Sequence, residues 1–95
     1  MPEHLTVAHY PALGKFSAFV DGEEAYLLYH PLSGGVLDFA STFTPEGLRR
    51  RGIASAVVRE ALEYARQHGC RVIPNCWFVK GYIQRHPEYL DLVTN

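Results

Sequence analysis

What this sequence lacks narrows its function before any motif is considered. No apolar run approaches the roughly 20 consecutive residues needed to cross a bilayer, and residues 1–10 have no hydrophobic core of the signal-peptide kind. The cytoplasm is therefore the expected location, with no membrane partner. There are only two cysteines, Cys70 and Cys76, one on each side of a predicted strand, and in a reducing compartment they are expected as free thiols. The five histidines, at positions 4, 9, 30, 68 and 86, show neither H-x-x-x-H nor Cys/His ligand spacing, so no metal is expected. Two common phosphate motifs are absent: there is no G-x-x-x-x-G-K-[ST] loop, and no G-x-G-x-x-G follows a strand. A formal net charge of -1 argues against a nucleic-acid surface spread over the whole protein.

What is present suits one compact domain, residues 1–95, with 47% hydrophobic and 20% charged residues. Linkers, repeats and low-complexity segments are missing. Residues 5–9 read as a short first strand. Residues 15–20 and 24–30 flank Asp21-Gly22, the strongest short hairpin signal in the chain. The turn-forming residues 31–35 lead into a strand over 36–44. Ile53, Val57, Val58, Ala61, Leu62 and Ala65 then recur at helical spacing, with charged residues on the other face, until Gly69 stops the helix. A strand over 71–75 and a helix from about Trp77 to His86 follow, the latter ended by Pro87. The order β-β-β-α-β-α predicts an α+β fold with a mostly antiparallel sheet and helices packed on it. The strands on either side of the first helix are joined by a crossover and should be parallel.

Between that strand and that helix lies Arg49-Arg50-Arg51-Gly52-Ile53-Ala54. The first N–H groups of a helix have no intrahelical partners, and the helix dipole adds partial positive charge there, so an anion is stabilised at such a start. Gly52 can take a positive φ or allow close backbone approach. A solvated basic face with a turn glycine is the competing reading, and the local sequence alone leaves both open.

The stretch resembles the R/Q-x-x-G-x-G/A signature of the GNAT superfamily, the acetyl-CoA-dependent N-acetyltransferases, with Arg49, Gly52 and Ala54 at its fixed positions. Asn75 and Tyr82 match the family's Asn and Tyr, seven residues apart. Cys76-Trp77-Phe78-Val79, Tyr82-Ile83 and His86-Pro87-Glu88-Tyr89 are similar to a small single-domain branch reading C-x-F-V-x-x-Y-[IM]-x-x-[HN]-P-E-[YF]. The resemblance runs from Phe16 to Tyr89.

It implies acetyl-CoA as cosubstrate and a primary amine, on a protein or peptide, as acceptor. The implied cofactor contacts are Phe43, Thr44, Arg49, Arg50, Arg51, Gly52, Ile53, Ala54, Ser55, Asn75 and Val79, with the pyrophosphate on the N–H groups of residues 50–55. Family folds splay the two parallel strands apart around the cofactor. Pro74 suits such a split, and equally a plain strand end. Tyr82 is the implied proton donor to the leaving thiolate, although its spacing from Phe78 also fits a core tyrosine. Cys76, beside a helix start, is either an acetyl-carrying thiolate or a small buried apolar group. Related sequences carry His-Thr-Glu where this chain has Ser41-Thr42-Phe43, so no family base can be placed on that strand. Asp38, Glu46, His86 and Glu88 are the substitutes, His86 doubling as a helix-end residue.

Most family members wall the acceptor pocket with two helices between their first two strands. Here residues 10–14 make the whole connection, which predicts an open acceptor side. The C-terminal hairpin usual in the family is also expected to be missing. Two other functions fit the same residues. One is a CoA-binding module with little or no catalysis, favoured by the replaced acid. The third is a protein- or RNA-interaction module using residues 49–51, although interleaved exposed aromatics are lacking.

Overall fold

The computed structural model describes residues 5–94, which leaves His4 outside. Strand β1 (Ala8–Tyr10) is followed by one 3₁₀ turn, Pro11–Leu13, then β2 (Lys15–Val20), β3 (Glu23–Leu32) and β4 (Val36–Phe43). A short 3₁₀ turn at Glu46–Leu48 precedes α1 (Ile53–Gln67), β5 (Arg71–Ile73), α2 (Trp77–Arg85) and a last 3₁₀ stretch, Pro87–Leu92. The fold is α+β, as expected. The strands order as β1-β2-β3-β4-β5, all antiparallel except the β4–β5 pair.

Three details correct the reading from sequence. Four strands precede α1, one more than the β-β-β order counts. The short first strand read over residues 5–9, which that order leaves out, stands at Ala8–Tyr10, where Ala8, His9 and Tyr10 pair with Ser17, Phe16 and Lys15. Strand β3 runs on through Pro31 to Leu32 instead of turning at Pro31. Its pairing with β2 stops at Leu28, so the N–H that proline lacks is not needed on that side. Strand β5 ends at Ile73, two residues short of the expected end.

The remaining elements follow local rules. Asp21 (φ 53°) and Gly22 (φ 77°) make a two-residue turn whose positive φ angles match the twist of the strands it joins. The buried residues of α1 are the six of its apolar stripe: Ile53, Val57, Val58, Ala61, Leu62 and Ala65. They face Phe16, Ala18, Ala25, Leu27, Phe39 and Val72 of the sheet in one core, which Val79, Tyr82 and Ile83 of α2 complete. At the end of α1, the Cys70 N–H reaches back to the Ala65 carbonyl at 2.8 Å, while Gly69 takes a φ of 67°.

At the far edge, an aromatic group fastens β1 to this core. The His9 ring stacks on Phe16 (4.1 Å between centroids), meets Tyr64 edge-on at 4.5 Å, and its Nε2 is hydrogen-bonded to the Tyr29 hydroxyl. His68 stacks on Tyr64 at 4.0 Å. Burial, then repulsion from His68, holds the His9 imidazole below its ordinary value of 6.5, and burial pushes the Tyr29 hydroxyl up. The folded chain thus resists a proton that the unfolded chain accepts. Stability from this group is complete above about pH 6.5 and is lost as pH falls below it. Thermal unfolding between about pH 7.5 and about pH 5 should show the decline. His9→Phe, which keeps the stacking, should flatten it; an equally steep decline in that variant would assign it to other groups.

Candidate active site

The parallel pairing of β4 and β5 lasts for three residue pairs, Val36–Arg71, Leu37–Val72 and Asp38–Ile73, and then the strands part. Two features produce the fork. On its β3 side, β4 takes one additional residue, Ala40, where the register shifts between Leu28–Ser41 and Tyr29–Phe39. On its β5 side, the chain leaves the sheet after Ile73, and the Cys76 N–H donates to the Phe39 carbonyl at 3.0 Å. That bond fixes the start of α2 at the fork.

Beyond it lies a cavity of about 550 Å³ lined by the end of β4, the loop to α1, and the first residues of both helices. Phe43, Thr44, Arg49, Arg50, Gly52, Ile53, Ala54 and Ser55 all line it, which brings together eight of the eleven residues expected to hold the cofactor. Gly52 (φ 76°) caps α1 without a side chain, and Ala56 is the residue whose N–H reaches the Gly52 carbonyl, at 3.1 Å. The N–H groups of Ile53, Ala54 and Ser55 are therefore the unpaired donors of a helix start, at the positive end of its dipole. The Arg49 Nε donates to the Thr44 carbonyl at 3.0 Å, closing the loop on itself. Arg50 holds a left-handed φ of 64°, rare for a residue with a Cβ.

The other expected site residues lie elsewhere. Arg51 turns away to Asp21 (3.0 Å), tying the loop to the β2–β3 turn. Asn75 donates to Asp38 at 2.8 Å and borders a second cavity, of about 440 Å³, with Pro74 and Lys80. Val79 is fully buried in the core. Tyr82, one turn beyond the cavity-lining Phe78, stacks on His86 at 4.1 Å and lies near Tyr89; it does not line the cavity, and burial raises its hydroxyl above the ordinary value. Cys76 is buried, its Sγ 3.6 Å from the Thr42 hydroxyl. Cys70 is half-buried, and both thiols are free. Of the substitute bases, Asp38 is engaged by Asn75, and His86 lies 3.9 Å from Glu88; none of the four lines the cavity.

Sequence reasoning missed Thr42, Leu48, Trp77 and Phe78 as cavity walls. Trp77 is 82% exposed at the first position of α2, and an apolar residue of that size beside a helix start was the available signal.

The sequence profile of GCN5-related N-acetyl-transferases matches residues 15–92. The chain belongs to this family. Among curated proteins it is similar to Protein NATD1 of Mus musculus, 28% identical over 91 residues, covering 92% of this chain and 83% of that one. The Danio rerio protein of the same name is 27% identical over 95 residues, with 96% and 86% covered. The fold is also that of a GCN5-like putative N-acetyltransferase from Staphylococcus aureus solved by NMR, with a TM-score of 0.69, 18% identity, and 99% of this chain and 92% of that one covered. Among the described residues, no cluster of side chains is arranged to hold a metal ion, and no helix is long and apolar enough to cross a membrane.

The backbone at Arg50 yields a direct test. Asn tolerates the left-handed region and a β-branched residue does not, so Arg50→Asn should leave stability within about 0.5 kcal/mol while Arg50→Val should lose roughly 1–2 kcal/mol. Urea unfolding of the two variants measures the difference; equal stabilities would mean that the loop relaxes to another conformation.

Proposed function

We propose that this protein is an acetyl-CoA-dependent N-acetyltransferase of the cytoplasm that acts on a primary amine presented by a protein or peptide. The observation that carries this reading is the cavity at the start of α1, where Arg49 and Arg50 and three unpaired helix N–H groups converge on one apolar-walled space. A pyrophosphate suits the N–H groups of residues 52–55 and the two arginines, and the pantetheine chain suits the divergent end of β4 at Phe43 and Thr44. The amine then attacks the thioester carbonyl, a backbone N–H stabilises the tetrahedral oxyanion, and CoA leaves as a thiolate that takes a proton. We assign that proton to Tyr82, which stands on the same face of α2 as Phe78 and, with its hydroxyl raised, stays protonated at neutral pH. Cys76 is the weaker candidate for direct participation because its sulfur is buried against Thr42.

Saturating acetyl-CoA tests the binding. At about 100 times its dissociation constant it should stabilise the fold by about 2.7 kcal/mol, roughly 10–20 °C in melting temperature. Gly52→Trp should abolish the shift by filling the anion site. An unchanged melting curve in the unmodified protein would overturn the reading.

A second reading, a CoA-binding module without turnover, draws on Phe43 standing where relatives carry an acid and on Tyr82 lying outside the cavity wall. Acetyl transfer to a lysine peptide separates the two. Tyr82→Phe should slow transfer by about 100-fold or more with acetyl-CoA affinity little changed. The rate should keep rising with pH as the free amine fraction grows, because no base has replaced the missing Glu in the cavity. A plateau from about pH 6–7 would reveal one, and His86 would be examined first.

A further inference from the structure

Trp77 is the chain's one tryptophan and, at 82% exposure, the most exposed large apolar side chain among the described residues. Apolar residues scattered singly over a surface need no explanation, and Leu13 and Phe19, exposed but away from the cavity, are of that kind. Trp77 is not, because it walls the cavity together with Phe78 and with Phe43, itself 46% exposed. The fork accounts for this grouping. With the Cys76 N–H held by the Phe39 carbonyl at 3.0 Å, α2 begins one residue later at Trp77, while β4 runs on from Phe39 to Phe43. The end of the strand and the start of the helix thus form the two sides of a widening gap, and each carries an exposed aromatic ring. Phe43 is braced by Tyr26, 5.5 Å between ring centres, and the indole meets Phe78 edge-on at 6.0 Å. The charged donors of the cavity belong to a different wall, made by Arg49, Arg50 and the open N–H groups of α1. One cavity therefore joins an anion-binding wall to an aromatic gap, which suits a ligand with a phosphate end and an uncharged arm better than a free phosphate.

We propose that Trp77 is the residue that selects the uncharged arm of the ligand, its indole lying against the pantetheine chain where that chain passes between Phe43 and α2. This rests on the acetyl-CoA reading above. The pattern C-x-F-V shared with the small single-domain branch leaves the second position open, so the contact belongs to this chain and not to the branch. The methyl and methylene groups of the arm bury against the ring, and the indole N–H is a donor for one of its amide carbonyls. Recognition then divides in two. The start of α1 holds whatever carries a pyrophosphate, and Trp77 adds affinity only for a ligand that also brings the arm.

Because there is one tryptophan, emission excited where the six tyrosines do not absorb reports on this residue alone. The full chain is titrated with acetyl-CoA and, separately, with ADP, which carries a pyrophosphate and adenine without the arm, and melting temperature is recorded alongside. Acetyl-CoA should move the emission to shorter wavelength and shield the indole from acrylamide. ADP, at a concentration that raises the melting temperature, should do neither. Trp77→Ala removes an exposed side chain at a helix start, so melting without ligand should stay within about 4 °C. In that variant the Kd for acetyl-CoA should rise about tenfold, as the loss of a contact with a few methylene groups implies, with ADP affinity unchanged. Trp77→Phe, which keeps a ring, should recover most of the loss. An emission change as large with ADP as with acetyl-CoA would put the adenine on the indole and overturn the proposal. Unchanged acetyl-CoA affinity in Trp77→Ala, or an equal loss for both ligands, would overturn it too. A melting shift with acetyl-CoA and no change in emission would refute the role of Trp77 alone; loss of both would refute the cofactor reading on which it stands.

Discussion

The site depends on the parting of two hydrogen-bonded strands. Strands β4 and β5 pair for three residues and then separate, and the Cys76 N–H, which would otherwise be orphaned at the fork, takes the Phe39 carbonyl. A buried backbone group must find a partner or lose free energy of the order of a hydrogen bond. Satisfying Phe39 with the start of α2 lets β4 continue alone to Phe43 with one side free of a neighbour. The cavity, the position of Trp77 and Phe78, and the approach of α1 to that free side all follow from this exchange.

Much of this was legible in the chain, for identifiable reasons. The helix stripe from Ile53 to Ala65 and the Asp21-Gly22 turn rest on local rules, as do Arg49, Arg50 and residues 52–55 at the cavity wall. The three expected cofactor residues that fall outside the cavity have tertiary causes. Arg51 is drawn off by Asp21, thirty positions away in sequence; Asn75 by Asp38, thirty-seven away; Val79 is claimed by the core. Spacing in a sequence tells which residues share a helix face, not which neighbour across the fold competes for them. The first strand, read over residues 5–9, spans Ala8–Tyr10 for a similar reason, since its bounds are set by where β2 folds back against it after a single turn.

Charge at the site is held with few fixed partners. Arg49 is occupied by a carbonyl within its own loop, Arg51 by an exposed carboxylate whose pair contributes little in water, and the backbone N–H groups of α1 are left open. An anion arriving there meets donors whose geometry the backbone already sets. This limits the side-chain ordering that binding costs.

The two borders of the sheet carry a separate consequence. At β5, Thr94 donates to the Val72 carbonyl at 2.9 Å and Arg71 to the Val93 carbonyl at 3.2 Å, so a strand of three residues has its outer side occupied. At the opposite border, β1 pairs over three residues and is stopped by Pro11. A long unpaired ladder on a chain that is 47% hydrophobic would be a template for another chain's strand. Among the described residues neither border offers one, so the fold that opens a fork inside its sheet keeps its rims poorly suited to fibre growth.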